Sequence, residues 1–328
     1  MDKQNIIGKI KAHHLLGRGG AAFPTAIKWE AVQKASGKKK YIVCNGSEGE
    51  PGVFKDGFIL KKYPAEVING IKIALQTFPG SAAYIYLRRD YFSAHKKRLE
   101  KLAKGLPITI IKEMGGYLCG EESTLLESIE GHRFEPRAKP PYPTEKGLFA
   151  CPTLINNVET FFAVSQIAKD EYKNTRFFSL SGDLPRPGVY QLPEDWSIKR
   201  VLKETNNWPR GDFFVQNGGG ASGVFLTLKE LNQKICGAGA IVVYAKKKHR
   251  PTDLAKKWLN FYFQQNCGRC LPCREGVYRL KELLEKNKLT PASGRDILLV
   301  LKQTSFCPLG KSLAVPLEGL FKKIWEKI

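Results

Sequence analysis

The sequence predicts an α/β layered domain over residues 1–175, a small α+β domain of β-grasp type over 176–248 and a helical bundle over 249–328. Three observations predict this order. Short apolar runs alternate with amphipathic helical stretches in the first segment. Turn signals crowd between short β-branched and aromatic runs in the second. Helical spacing dominates the third, and four cysteines lie between its helices.

In the first segment, Tyr41-Ile42-Val43-Cys44-Asn45 reads as a short buried strand ending in a polar turn. Residues 82–87 and 108–112 read as two more. Residues 64–78 read as a helix with Val67, Ile68, Ile71 and Leu75 on one face, and 91–104 as a basic amphipathic helix. In the second segment, Ser181-Gly182-Asp183, Pro185-Arg186-Pro187-Gly188 and Asn217-Gly218-Gly219-Gly220 are turns, and one short helix fits 198–204. In the third, residues 253–265, 276–286, 293–304 and 317–328 have helical spacing. The bundle would gather the loops between them around one site.

Cys267, Cys270 and Cys273 follow one another at two-residue gaps, and Cys307-Pro308 supplies a fourth thiolate. That set can hold a cubane [4Fe–4S] cluster. A structural zinc site also takes four thiolates, but it more often presents two separated Cys-x2-Cys pairs. A disulfide framework is disfavoured, because Cys44, Cys119, Cys151 and Cys236 are scattered singly. A cluster makes electron transfer the first functional hypothesis.

At 328 residues and 42% hydrophobic, the chain has the composition of a soluble globular protein. Its longest strand-like apolar run, residues 238–245, is too short to span a bilayer, so no direct membrane insertion is expected. The first residues lack a signal-peptide pattern, and free thiols point to the cytoplasm. The net charge of +22 is spread over short runs at 38–40, 88–89, 96–98, 246–250 and 256–257. No nucleic-acid module accompanies them, so the basic surface is read as attracting acidic proteins or anionic nucleotides, or as a solvated face. Nucleic acid is not an expected partner.

Gly17-Arg18-Gly19-Gly20 precedes a possible helix through Lys28 and Trp29. Glycines let backbone N–H groups approach a phosphate. In isolation the run is a tight loop: no strand precedes it, and no acidic residue follows about 20 positions on. Three further motifs change its weight. They are the run from Cys44 through Asn45-Gly46-Ser47-Glu48-Gly49-Glu50-Pro51 to Lys55-Asp56, the run from Gly116-Tyr117-Leu118-Cys119-Gly120-Glu121-Glu122 to Leu126, and Pro136 to Pro143 followed by Pro152 to Asn156-Asn157-Val158-Glu159-Thr160. Each puts glycine or proline beside carboxylates, amides or an aromatic ring.

Together with the cysteines, these motifs resemble the NADH-oxidising flavoprotein subunit of respiratory complex I. The homologous diaphorase subunits of NAD-linked hydrogenases and formate dehydrogenases share them. The resemblance runs in motif order over roughly residues 15–325. It implies a Rossmann-like FMN-binding domain, then a β-grasp domain, then a helical [4Fe–4S] domain. It implies hydride transfer from NADH to FMN, then single-electron transfer to the cluster and on to a partner. That partner would be a thioredoxin-like [2Fe–2S] subunit with further iron–sulfur subunits, placing the chain in the cytoplasm or at the cytoplasmic side of a membrane complex.

The resemblance also implies roles. Gly17, Arg18, Gly19 and Gly20 would lie against the FMN phosphate and the nucleotide. Phe23 would stack on an NADH ring, and Lys28 would reach flavin or nucleotide. Asn45, Ser47 and Glu48 would hold FMN, and Glu50 would face the NADH ribose and disfavour a 2′-phosphate. Tyr117, Gly120, Glu121 and Glu122 would line the flavin–nicotinamide cleft, with Tyr117 and Glu122 nearest the reaction and Glu122 tuning nucleotide release. Tyr142 would stack on the adenine. Asn156, Asn157 and Thr160 would bind the FMN phosphate and ribityl chain. Cys267, Cys270, Cys273 and Cys307 would ligate the cluster. Ser47 stands where the family has an acid that helps grip the ribityl chain, and Tyr142 where it has Phe. Ala22 and Ala26 replace glycines, a mild change if their φ stays negative. The rival readings are a structural subunit that keeps the metal without flavin, and a nucleic-acid-binding protein.

Overall fold

The computed structural model describes residues 6–37 and 39–325. Residues 1–5, in which no signal-peptide pattern is read, Lys38 of the first basic run and the last three residues of the stretch read as helical at 317–328 lie outside the described residues. The chain forms two compact units, one of the residues up to Gly49 with Phe54–Phe177, the other of Glu50–Val53 with the chain from Phe178 on. The sheet and helical segments that the sequence reading separates at residue 248 fall in the same unit.

The first unit is a parallel sheet clad by helices. Its strands are β1 (Tyr41–Gly46), β2 (Ala82–Leu87), β3 (Ile108–Lys112) and β4 (Thr153–Asn157), in the order β3-β2-β1-β4. Ile42, Val43 and Cys44 are fully buried, as a central strand covered on both faces requires. The helices are α1 (Ile6–Ala12), α2 (Thr25–Lys34), α3 (Lys55–Lys62), α4 (Pro64–Thr77), α5 (Arg89–Leu102), α6 (Glu122–Ile129), α7 (Pro143–Lys146) and α8 (Val158–Ala168). Pro64 occupies the first turn of α4, where its missing N–H costs nothing. α4 packs on α8 through Gly70, where an added Cβ would sit 2.0 Å from the Phe161 carbonyl oxygen.

β1, β2, β3, α4 and α5 end within two residues of where the sequence predicts. α3, α6 and α8 are additions, each beginning in residues that the sequence reading assigns to a ligand motif. Nine of the eleven residues in α8 are buried, which erases the amphipathic period. Ala22 corrects another expectation. Its φ is +51°, the left-handed region that costs a non-glycine residue about 1 kcal/mol or more, whereas Ala26 lies inside α2.

The second unit carries a mixed sheet of β5 (Thr175–Gly182), β6 (Gly188–Pro193), β7 (Phe213–Asn217), β8 (Val224–Leu226) and β9 (Ala240–Ala245), ordered β6-β5-β9-β7-β8. β5 and β9 are parallel; β7 runs antiparallel to both its neighbours. The helix α9 (Ile198–Glu204), where the sequence places it, buries Ile198, Val201 and Leu202 on this sheet. The bundle comprises α10 (Pro251–Gln265), α11 (Leu271–Glu285), α12 (Pro291–Thr304), α13 (Pro308–Ser312) and α14 (Ala314–Lys323). α10 to α13 each have proline in the first turn, so the breaks that hold the cysteines are written in the chain. Cys270 stands at the N-cap position of α11 and Cys307 at that of α13.

Candidate functional site

β1 has β2 on one side and β4 on the other, so strand order reverses there, and Asn45 pairs in register with Asn157 at the carboxyl ends. Open α/β sheets bind ligands at such a switch point. The Gly17–Gly20 loop is closed by Gly17 N–H donating to the Phe23 carbonyl at 2.8 Å. It lies on the start of α8: the Arg18 N–H donates to Thr160 Oγ1 at 3.0 Å, and a Cβ on Gly19 would stand 3.4 Å from that of Asn157. The N-terminus of α8 presents the positive end of a helix dipole, an environment that suits a phosphate. The Arg18 guanidinium is buried and donates to the Tyr172 hydroxyl at 2.7 Å, so Arg18 meets α8 through its backbone.

Under this corner lies a network of buried charges. Lys55 is 1% exposed, and its Nζ reaches Asp56 at 2.6 Å, Asn157 Oδ1 at 3.1 Å and Glu159 at 3.2 Å. The Asn157 amide is saturated. Its oxygen also accepts from Glu159 N at 3.0 Å, capping α8, and its nitrogen donates to Asp56 at 2.6 Å and to the Asn45 carbonyl at 3.3 Å. Glu48 accepts from the Asp56 N–H with both oxygens and from the Tyr91 hydroxyl at 2.8 Å, so it caps α3. Burial first and then Asp56 push the Glu48 carboxyl up to about 7. Burial also raises Asp56, while the surrounding carboxylates outweigh burial at Lys55 and keep its ammonium charged. The sequence analysis assigns no role to Lys55, Asp56 or Glu159; charges flanking a glycine-rich turn and a helix start are the signal that could have found them.

The loop after β1 packs on the turn of Tyr117 and Gly120. Asn45 Nδ2 donates to the Gly120 carbonyl at 2.9 Å; a Cβ on Gly120 would lie 2.8 Å from the Ser47 carbonyl, and one on Gly49 would lie 3.0 Å from Tyr117 Cα. Glu121 caps α6, accepting from the N–H groups of Ser123 and Thr124 at 3.0 and 2.9 Å. Glu122 stands between Lys28 at 3.4 Å and Lys139 at 2.8 Å. Burial alone would raise its carboxyl, but the two ammonium groups outweigh burial and hold it below the usual range. Phe23 and Tyr142 are about half exposed, at 49% and 54%, which leaves ring faces open to stacking. Asn156 is buried, with its amide oxygen 3.1 Å from Trp29 Nε1.

Glu50 belongs to the second unit. Its carboxylate accepts from the N–H groups of Ala221 and Ser222 at 2.9 and 2.8 Å, in a loop where a Cβ on Gly219 would overlap it.

Cys267, Cys270, Cys273 and Cys307 lie in the same unit, none of them in a disulfide. Burial, reinforced by the other three, pushes the Cys273 thiol up to about 12. Thiols crowded in this way call for a cation. Ser305 Oγ is buried with no hydrogen-bond partner among the described residues, and the missing Cβ of Gly310 leaves room between it and Cys273. Among the described residues, Glu127, Glu130 and His132 bring ligand atoms within 4.8 Å of one another, and no three cysteine thiols do. The four-thiolate donor set fits an iron–sulfur cluster. The phosphate corner and the polar loops after β1 and β3 fit FMN. Arg137 bridges Glu127 and Glu130, which makes that trio an ion-pair network.

Among the described residues no helix is long and apolar enough to cross a membrane. Residues 10–166 match the Nuo51 FMN-binding domain, and residues 253–328 the NADH-ubiquinone oxidoreductase-F iron-sulfur binding region. The chain is 32% identical to the second NADH-quinone oxidoreductase F subunit of Rhizobium meliloti (strain 1021), over 97% of itself and 86% of that protein. It is 32% identical to the F subunit of Aquifex aeolicus (strain VF5), over 100% and 86%. It is 31% identical to the alpha subunit of the NAD-reducing hydrogenase HoxS of Cupriavidus necator, over 98% of itself but only 60% of that subunit. Its fold is similar to that of an NAD+-reducing [NiFe]-hydrogenase chain in the H2-reduced state, with 30% identity and a TM-score of 0.88 over 97% of this chain and 60% of that one. The chain therefore belongs to the family of NADH-quinone oxidoreductase F subunits, flavin-dependent NADH dehydrogenase modules with an FMN-binding and a [4Fe–4S]-binding domain.

Proposed function

We propose that the chain oxidises NADH and passes the electrons to a partner with further iron–sulfur centres. FMN would be held at the β1–β4 corner and the cluster by Cys267, Cys270, Cys273 and Cys307. When bound, the flavin takes hydride from NADH and the cluster carries electrons singly. The protein's task is orientation and electrostatics. The glycine loop and the start of α8 would receive the phosphate, and Asn45 and Ser47 the polyol chain. Glu48, Asn156 and Asn157 act from beneath, by shaping the loop and the helix end. Phe23 and Tyr142 offer stacking faces to the nucleotide. Lys28 and Lys139 keep Glu122 ionised, so a negative charge stands where an oxidised, more positive nicotinamide would leave. Glu50, fixed in its backbone nest, would meet the ribose and disfavour a 2′-phosphate.

The observation that carries this reading is the Arg18 N–H bound to Thr160, which seats a glycine loop on a helix N-terminus at the sheet's switch point. The net charge of +22 suits an acidic partner, of which a thioredoxin-like [2Fe–2S] subunit is the first candidate. A peripheral place on the cytoplasmic side of a larger complex suits the free thiols. The test is anaerobic: load the chain with FMN, iron and sulfide, add NADH, and follow flavin bleaching and the cluster's EPR signal. Bleaching with a reduced-cluster signal supports the route. Metal binding without flavin binding, with NADH inert, overturns it.

A further inference from the structure

Ser47 differs from its neighbours in how its protons are arranged. Its N–H is taken by Asn45 Oδ1 at 3.1 Å, and Asn45 is itself tied to Gly120. Its hydroxyl donates to the carboxylate of Glu113. Glu113 follows β3, is 6% exposed and is held from behind: its backbone N–H donates to the Leu87 carbonyl at 2.8 Å, and its carboxylate accepts from the Arg89 N–H with Arg88 and Arg89 nearby. A serine hydroxyl has one proton and two lone pairs. With the proton on Glu113, only the lone pairs remain. Ser47 is partly exposed, so those lone pairs are reachable where the buried Glu113 is not.

We infer that Ser47 and Glu113 work as one unit, in which Glu113 takes the Ser47 hydrogen bond and makes Ser47 Oγ an obligate acceptor for a hydroxyl of the flavin's polyol chain. The inference rests on FMN binding at the β1–β4 corner. Ser47 is the binding group and Glu113 a positioning residue. The arrangement also explains why an acid at position 47 is not a simple improvement. A carboxylate introduced there would face Glu113, and two carboxylates at hydrogen-bonding distance repel.

The test is titration of flavin-depleted full-length protein with FMN and with lumiflavin, an isoalloxazine without the polyol chain, read by flavin fluorescence. S47A and E113Q should each weaken FMN about tenfold, and leave lumiflavin within about twofold. S47D should also weaken FMN, whereas S47D/E113Q should restore it, because the new amide at position 113 can donate to the new carboxylate at 47. FMN binding unchanged in S47A overturns the inference, as does an equal loss for lumiflavin, or a double variant no better than S47D. S47A removes no charge and carries the test if E113Q does not fold. A wild-type chain that binds lumiflavin and FMN equally overturns the pairing alone; one that binds neither overturns the function beneath it.

Discussion

In the first unit Lys55, Asp56, Glu48 and Glu159 are all buried, and every one of them is met by another charge, a backbone N–H or an amide. In the second unit four thiols converge, with Cys273 pushed up by burial and by the other three, and the buried Ser305 hydroxyl has no hydrogen-bond partner among the described residues. The first arrangement balances its charges within the protein, so the β1–β4 corner is shaped by folding alone. The second lies in the iron-sulfur binding region, which a metal centre completes. Both units build a site at the start of helices, yet one is preorganised and the other is templated.

The largest expected effect breaks the second arrangement. Replacing Cys273 with alanine, or stripping iron with a chelator, should cost the helical bundle on the order of 5 kcal/mol. Iron content should vanish, and the second unit should melt in an earlier transition by circular dichroism. A single unshifted transition would mean that the bundle closes without metal.

Next, Lys55→Met attacks the first arrangement. It leaves Asp56 and Glu159 buried against each other, at a cost of roughly 3–5 kcal/mol. Urea denaturation should show it, and adding Asp56→Asn and Glu159→Gln should recover much of the loss. No recovery would show that Lys55 acts through packing rather than charge.

A smaller effect sharpens the comparison by pH. Glu48 has its folded pKa raised to about 7 from the ordinary 4.5, so the native state binds the proton more tightly than the unfolded one. Its stabilising contribution is full below the unfolded value and is lost as pH rises through about 7. Unfolding free energy should therefore fall between mildly acidic and mildly alkaline pH by about 1–3 kcal/mol, and Glu48→Gln should flatten that fall. A variant with the wild-type slope would assign the proton to another group, Asp56 first.

The smallest expected effect lies at the partly exposed Glu122. Glu122→Gln should weaken NAD+ about two- to fivefold relative to NADH, with little change in melting temperature. Unchanged NAD+ affinity in equilibrium titrations would remove Glu122 from nucleotide release.

How much of this is legible in the chain varies from element to element. The bundle is readable because proline opens its helices and the cysteines fall at those breaks. β1 is readable because a run such as Ile42-Val43-Cys44 suits little else than a covered strand. α8 is not, because a helix buried all round has no polar face to set its period. The motif residues are legible as a set, whereas their individual jobs are not. Glu48, Glu121 and Asn157 turn out to cap helices. The guanidinium of Arg18 turns inward. The partner of Ser47 lies sixty-six positions away.

The sequence by itself determined the order of the sheet-bearing and helical segments, the four candidate metal ligands and the family, because these depend on spacing along the chain. Tertiary structure alone decided which carboxylate is a cap, which is ionised and which meets a hydroxyl. Those properties depend on burial and on neighbours brought together from distant strands, and nothing in the local sequence of Glu48, Glu113 or Glu122 records them.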